Sequence, residues 1–334
     1  MEGSLLKLLP DNPDFDVVET KHMSHGEWLD LRRGGIGGSD LAGIMSMSQY
    51  ATPIDVYLDK TYQTETEEEE NPLFWWGKKL EPLVIEKYHE MYPGETVIPA
   101  PGMLVSKKWP WMIANLDGII EAYKKFGDFE IKTVGFAGDE WGRDGGTGED
   151  IPEKYYCQVA HYLAVTGFLY AVLVAFFMAS REIRRYFIQR EEAVIKNIVA
   201  IEEKFWKENV IPQEPPVPTN TDDCNKLWAY DKGTTITAGD DIVKIAAELK
   251  NLKSEVKLMQ GTDGRGGRKS ELEAKIKNAM GENTVLLGPG GRKICSWKTQ
   301  TARRFQTKEF AIAHPDLDKE FRKESSSRVF RVAK

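Results

Sequence analysis

Cysteine is scarce in this chain: only Cys157, Cys224 and Cys295 occur, and they are scattered. That excludes a disulfide framework, a CxxC metal site and a four-cysteine iron–sulfur cluster, and it fits a reducing cytosol. Long apolar runs are missing as well. The longest, Phe168 to Ala179, is too short to span a bilayer and reads as a buried strand. The N-terminus has no signal-peptide pattern, so a cytoplasmic protein with no membrane association is expected. There is no internal repeat. The only low-complexity tract is an acid run, Glu65 and Glu67 to Glu70, which reads as an exposed loop.

Positive charge is in deficit, with 45 Lys and Arg against 52 Asp and Glu and a net charge of −7. A nucleic-acid partner is disfavoured on that total alone, but the distribution is uneven. Residues 240–334 hold 21 basic side chains against 13 acidic ones, a net of +8, which leaves residues 1–239 at −15. The basic segment suits either phosphate contact or a plain solvated surface. Core-forming material is plentiful, with 41% hydrophobic residues and nine Trp. At 334 residues the chain has room for one sizeable core plus an accessory region, or for two domains.

The most informative stretch is MIANLDGIIEAY followed by GDFEIKT. The first run alternates and is rich in β-branched residues, which predicts a half-buried strand ending in a Lys-Lys-Phe-Gly turn. A second short strand is predicted from Phe129 to Val134. Glu130 and Lys132 lie two apart and so share a face, with the Ile131 carbonyl between them. A carboxylate inside a strand is costly unless a cation compensates it. Asp117, Glu130 and that carbonyl offer hard oxygen donors suited to Mg²⁺ or Mn²⁺. An ordinary solvated hairpin with a Glu–Lys pair would carry the same letters. The spacing D…ExK resembles the PD-(D/E)xK nuclease core.

Other elements follow from local signals. Trp28, Leu29 and Leu31 predict a short helix ending at Gly34-Gly35, with Ser39 as N-cap of the next helix. A Gly-rich turn feeding a helix presents N–H groups to an anion, and Arg32 is placed to fold back over it. Thr52-Pro53 starts another helix. Phe74 to Tyr92 is strongly helical, with Pro82 either beginning the helix or kinking it, and Glu81 beside that irregularity. A helix is predicted from about Glu153 to Thr166, with Tyr155 and Gln158 on one face. Strands Ala171 to Met178 and Ile183 to Gln189 follow, then an amphipathic helix from Glu192 to Glu208. Ile211 to Thr219 holds four prolines and marks a linker or a wrapping arm. Beyond it, Asp241 to Gln260 and Lys269 to Met280 read as a helical hairpin about the break GTDGRGG. TVLLGPGGRKICSWKT reads as a β-hairpin turning at Pro289-Gly290-Gly291, and Arg303, Arg304 and a strand-like RVFRV close the chain.

With WLDLRRGGIGGSD, WGKKLEP, NLDGI, FEIKT and YYCQVAHYL in this order, residues 25–210 resemble the YqaJ-type viral recombinase and phage lambda exonuclease family. The resemblance implies an α/β (α+β) restriction-endonuclease-like fold, a central mixed sheet flanked by helices, carrying a C-terminal helical and β-hairpin extension. It assigns residues 1–211 to a nuclease core; the prolines mark a linker at 212–220, and the extension at 221–334, absent from the shortest family members, is a candidate for DNA or partner contact. It implies two-metal hydrolysis of phosphodiester bonds in duplex DNA ends, 5′→3′. Asp117, Glu130 and the Ile131 carbonyl would be metal ligands, Glu81 would serve a second ion, and Lys132 would orient the attacking water. Tyr155 and Gln158 would line the site. Arg32, Gly37, Gly38 and Ser39 would hold the terminal 5′-phosphate. A single-strand annealing protein as partner, a homo-oligomer such as a trimeric ring, and a bacterial or phage-infected host cell are implied too. Two alternatives keep the same residues: a structure-specific or nicking endonuclease, and a DNA-binding assembly factor with a vestigial site. The proline after Glu81 departs from the family pattern.

Overall fold

The computed structural model describes residues 12–61, 72–122, 125–228, 239–260, 272, 275–278, 283–287, 293–298 and 307–322. The acid run, the GTDGRGG break, most of 269–280, the Pro289-Gly290-Gly291 turn, Arg303, Arg304 and RVFRV lie outside the described residues. The chain forms two compact units, Met1–Cys224 and Asn225–Lys334.

In the first unit the elements run β1 (Phe15–Val18), α1 (His25–Arg33), α2 (Gly38–Ile44), α3 (Pro53–Thr61), α4 (Pro72–Met91), β2 (Thr96–Ile98), β3 (Met103–Ser106), β4 (Ile113–Ala114), β5 (Gly118–Ala122), β6 (Lys125–Val134), β7 (Gly146–Thr147), α5 (Glu153–Thr166), β8 (Tyr170–Phe177), β9 (Glu182–Gln189) and α6 (Glu192–Phe205). A six-stranded mixed sheet has the order β2-β5-β6-β8-β9-β7, and a small antiparallel sheet has the order β1-β3-β4. β6 and β8 pair in parallel, Glu130 opposite Leu173, so the chain must cross over between them, and α5 is that crossover. β8 is buried along nearly its whole length because it is central and covered on both faces. Ala171, Leu173, Ala175 and Phe177 join Val159 and Leu163 of α5 in one core cluster. Val172 and Val174 join Phe129, Ile131 and the α4 residues Val84 and Tyr88 in the other. Since Phe129 and Ile131 face α4, Asp128, Glu130 and Lys132 are turned to the α5 side.

Several local expectations need correcting. MIANLDGIIEAY is two strands: β4 pairs with β3 in the small sheet, and β5 pairs with β2 and β6 in the large one. The chain changes sheets at Asn115 to Asp117, a step that periodicity does not see. The second strand starts earlier than Phe129, because β5 and β6 pair out to Ala122 and Lys125. Gly127 belongs to that strand and lies under Tyr170, whose ring a Cβ would meet at 2.5 Å. Of the two positions left open for Pro82, the interior of α4 is the one taken, where it removes one backbone donor. Ser39 is not a cap: Gly37 holds that position, and its N–H donates to Asp40 Oδ2 at 2.9 Å. The helix predicted to run to Glu208 gives way to a π-helical turn, Trp206–Val210.

The proline-rich stretch runs against the core as an arm. Tyr57 Oη donates to the Gln213 carbonyl at 2.8 Å, and Thr52 Oγ1 donates to Asp223 at 2.6 Å. Asp223 also accepts from the Thr219 N–H at 2.8 Å and is fully buried. Helix α7 (Thr221–Leu227) follows. The second unit contains α8 (Asp240–Gln260), the antiparallel pair β10 (Val285–Leu287) and β11 (Lys293–Ser296), and two short helices, α9 (Thr307–Ala313) and α10 (Pro315–Phe321). Among the described residues, no helix is long and apolar enough to cross a membrane.

Candidate active site

The site forms where β5 stops covering β6. Gly118 is the last β5 residue opposite β6, paired with Phe129. Past it, the Ile131 N–H finds the Asp117 carboxylate instead of a backbone carbonyl, at 2.8 Å. A strand residue's N–H and C=O open to the same side, so the Ile131 carbonyl shares this edge with Asp117. Glu130 lies on the α5 face, almost fully buried. Its Oε1 accepts from Lys132 Nζ at 2.6 Å and from Gln158 Nε2 at 2.7 Å, while Oε2 has no hydrogen-bond partner. Gln158 Nε2 also lies 3.0 Å from Tyr162 Oη. Tyr155, one helical turn before Gln158, places its ring 5.1 Å from the Lys132 ammonium. All of the residues expected at the metal site gather here, Glu81 reaching them from α4 within electrostatic range of Asp117 and Lys132.

Charge is badly balanced in this cluster. Burial, then the neighbouring Asp117, pushes the Glu130 carboxyl up to about 8, although Lys132 pulls the other way. Burial also raises Asp117, against the pull of Lys132 and the Ile131 N–H. Burial and Asp117 raise Glu81. Burial alone would lower the Lys132 ammonium, but Glu130 and Asp117 outweigh it and hold the proton on. A fourth acid, Asp128, was missed from the sequence. It is fully buried two residues before Glu130, and neither of its oxygens has a partner. Burial, then Glu130 and Asp117, pushes it well above the usual carboxylate range. Its signal was available, since the i, i+2 spacing that links Glu130 to Lys132 also links it to Asp128.

Four carboxyls therefore lie within electrostatic range of the Lys132 ammonium, with Lys78 also near Glu81 and an orphaned oxygen on Glu130. Hard oxygen donors in excess over cationic charge fit a divalent cation in chemistry. As the side chains stand, no three His, Cys, Asp or Glu among the described residues lie close enough to hold a metal ion. Lys132 and Gln158 occupy Glu130 Oε1 and Ile131 engages Asp117 Oδ2, which leaves Glu130 Oε2 as the oxygen without a hydrogen-bond partner.

The Arg32 group sits close by. Arg32 Nη2 donates to Ser39 Oγ and to Asp40 Oδ1, each at 2.9 Å, which joins the two residues expected to share an anion. Asp40, another residue missed from the sequence, is also paired with buried Lys60 at 2.8 Å. Its burial favours the neutral acid, but Arg32 and Lys60 outweigh that and hold it below the usual range. The Gly37 N–H is already donated to Asp40. Gly38 packs against α5, where a Cβ would lie 2.8 Å from the Tyr162 ring and 2.9 Å from Gln158. This contact couples the glycine turn to the side chain that fixes Glu130.

Residues 27–169 match the family model described as the YqaJ-like viral recombinase domain, a span that contains every one of these residues. Along nearly the whole chain there is similarity to the uncharacterized protein YqaJ of Bacillus subtilis strain 168, 27% identical over 319 residues, covering 95% of this chain and 96% of that protein. Among solved structures, an alkaline exonuclease of Laribacter hongkongensis covers 55% of this chain and 91% of its own at 20% identity and a TM-score of 0.41. A phage-related exonuclease from Haemophilus somnus 129PT covers 56% and 99% at 13% identity and a TM-score of 0.40. The matched span ends just before β8, so β8, β9 and α6, which complete the sheet and core of the first unit, lie outside it.

Proposed function

We propose that the protein is a divalent-cation-dependent deoxyribonuclease that degrades duplex DNA ends 5′→3′, exposing a 3′ strand for a single-strand annealing protein. The observation that carries this reading is the excess of buried carboxylate around Lys132 at the open edge of β6, inside a YqaJ-like domain. Asp117, Glu130 and the Ile131 carbonyl would hold one Mg²⁺ or Mn²⁺ ion, and Glu81 a second. Divalent ions in such a site supply an acidified water and neutralise charge on the departing oxygen. Lys132 keeps its proton and holds the attacking water or a phosphate oxygen in line. Gln158 fixes the Glu130 carboxylate, and Tyr155 backs the ammonium. Arg32 and Ser39, on the turn of Gly37 and Gly38, would receive the terminal 5′-phosphate and so set polarity. A homo-oligomer, a trimeric ring in the arrangement implied by the family resemblance, would keep the enzyme on one duplex.

Digestion of linear duplexes bearing 5′-phosphate or 5′-hydroxyl ends, with Mg²⁺ or with a chelator, tests the reading. The phosphorylated end should be degraded faster, and only with the cation. Cutting of a covalently closed circle would favour the endonuclease reading. Asp117→Ala or Lys132→Ala enzymes as active as wild type would remove the site from the chemistry.

A further inference from the structure

The β10–β11 hairpin of the second unit is built from residues that the nuclease reading leaves unused. Val285 pairs with Ser296 and Leu286 with Cys295, then the register shifts and Leu287 pairs with Lys293. Ile294 is therefore the extra residue of a β-bulge, a device that re-aims side chains. Val285, Leu287, Ile294 and Trp297 are between 40% and 60% exposed, and Lys293 and Lys298 are exposed beside them. The Trp297 N–H donates to the Thr284 carbonyl at 3.0 Å, and the Lys277 ammonium stands 5.4 Å from the centre of the indole. Among the described residues these two strands form a sheet of their own. A two-stranded ribbon with so much open apolar surface is marginal in water.

Charge identifies the occupant. Residues 283–308 hold six Lys and Arg and no Asp or Glu, in a chain whose net charge is −7. Such a stretch attracts a polyanion. A partner held by charge alone has no use for an open indole. A nucleic-acid base stacks on an aromatic ring whatever its identity, and cations around the ring take the phosphates on either side. Bases inside a duplex already have both faces covered by their neighbours, so unpaired ones suit Trp297 best. From these observations we infer that the hairpin is a binding platform for single-stranded nucleic acid, with Trp297 stacking on a base and Lys277, Lys293 and Lys298 holding the neighbouring phosphates. The inference does not rest on the nuclease reading. Under that reading the ligand is the DNA strand that digestion exposes.

Fluorescence anisotropy tests it, with the full-length protein titrated into labelled oligothymidylate, oligouridylate and a duplex of equal length. A chelator in the buffer keeps the outcome independent of any digestion. The single strands should bind more tightly than the duplex at equal salt, and the preference between the deoxy and the ribo strand tells a DNA site from an RNA site. Trp297→Ala should weaken single-strand binding by roughly tenfold and leave its salt dependence alone, whereas Trp297→Phe should keep most of the affinity. Lys293→Gln and Lys298→Gln should each lower the slope of log affinity against log salt by about 0.7. Equal affinity for duplex and single strands would overturn the inference, as would Trp297→Ala protein that binds as well as wild type or lysine variants with an unchanged slope. So would polyglutamate that displaces the oligonucleotide as readily as unlabelled strand does, the result expected of a surface for an acidic protein.

Discussion

At the scale of single residues, the first unit spends burial on charge. Glu130, Asp117 and Asp128 are acids in a place where acids are unstable, and Lys132 alone answers them. Gln158 holds Glu130 by one hydrogen bond and touches no reacting atom in the proposed chemistry, which makes it a positioning residue. Gln158→Leu should lower cation affinity and digestion together, by about 10- to 100-fold, as loss of a ligand's support does elsewhere. Cation titration by calorimetry separates this from a folding defect, and unchanged affinity would count against the positioning role. Asp40 is a second test. It neutralises buried Lys60 and half of the Arg32 fork, so Asp40→Ala leaves the buried ammonium to Asp59, at 3.1 Å, and to the Arg32 carbonyl, at 3.3 Å. Loss of the closer partner should cost about 1–3 kcal/mol in denaturant unfolding. A cost near zero would mean that Asp59 alone satisfies Lys60.

At the scale of elements, the site depends on how closely α2 approaches α5. Gly38→Ala would push a methyl group into Tyr162 and Gln158, and the backbone carbonyl of Gln158 at 3.1 Å cannot swing away. Overpacking of this kind should cost about 1–3 kcal/mol, and it should lower activity by more than the stability loss explains. A second device clamps α5 to α6 and β4. His161 Nδ1 lies 2.7 Å from Glu202 Oε1, and its Nε2 lies 2.8 Å from the Ile113 carbonyl, with both side chains fully buried. The carbonyl takes the Nε2 proton, and an ionised Glu202, whose carboxyl burial raises against the pull of His161, would take the other. Burial lowers the imidazolium, but Glu202 outweighs it and the pKa ends above its ordinary value. Stability from this clamp is therefore complete below the ordinary histidine pKa of about 6.5 and is lost as pH rises through the raised one. Thermal melting between pH 6 and 9 should show that loss, and in Glu202→Gln it should begin at lower pH. A flat wild-type profile would rule the charged pair out.

At the scale of the whole molecule, the first compact unit closes with the arm that ends at Cys224. Gln213 and Asp223 are bound to α3 and to the residue that caps it. A chain ending after residue 227 should therefore melt higher than one ending after residue 211, where these bonds are absent. Equal melting temperatures would make residues 212–220 a free spacer.

Much of this protein was legible in the sequence because it is local. The bounds of α5, Glu153 and Thr166, follow from a proline before and a glycine after, and Gly167 takes the left-handed conformation that ends the helix. The shared face of Glu130 and Lys132 follows from the two-residue period of a strand, and the ordered segments pointed to the family. Only the fold decided the rest. The change of sheet at Asn115 to Asp117 depends on partners distant in sequence, as do the salt-bridged Asp40, the clamp on His161 and the buried, unpartnered carboxyl of Asp128. Periodicity reports which way a side chain points. What it meets there, and whether water is excluded, is set by segments that only the folded chain brings together.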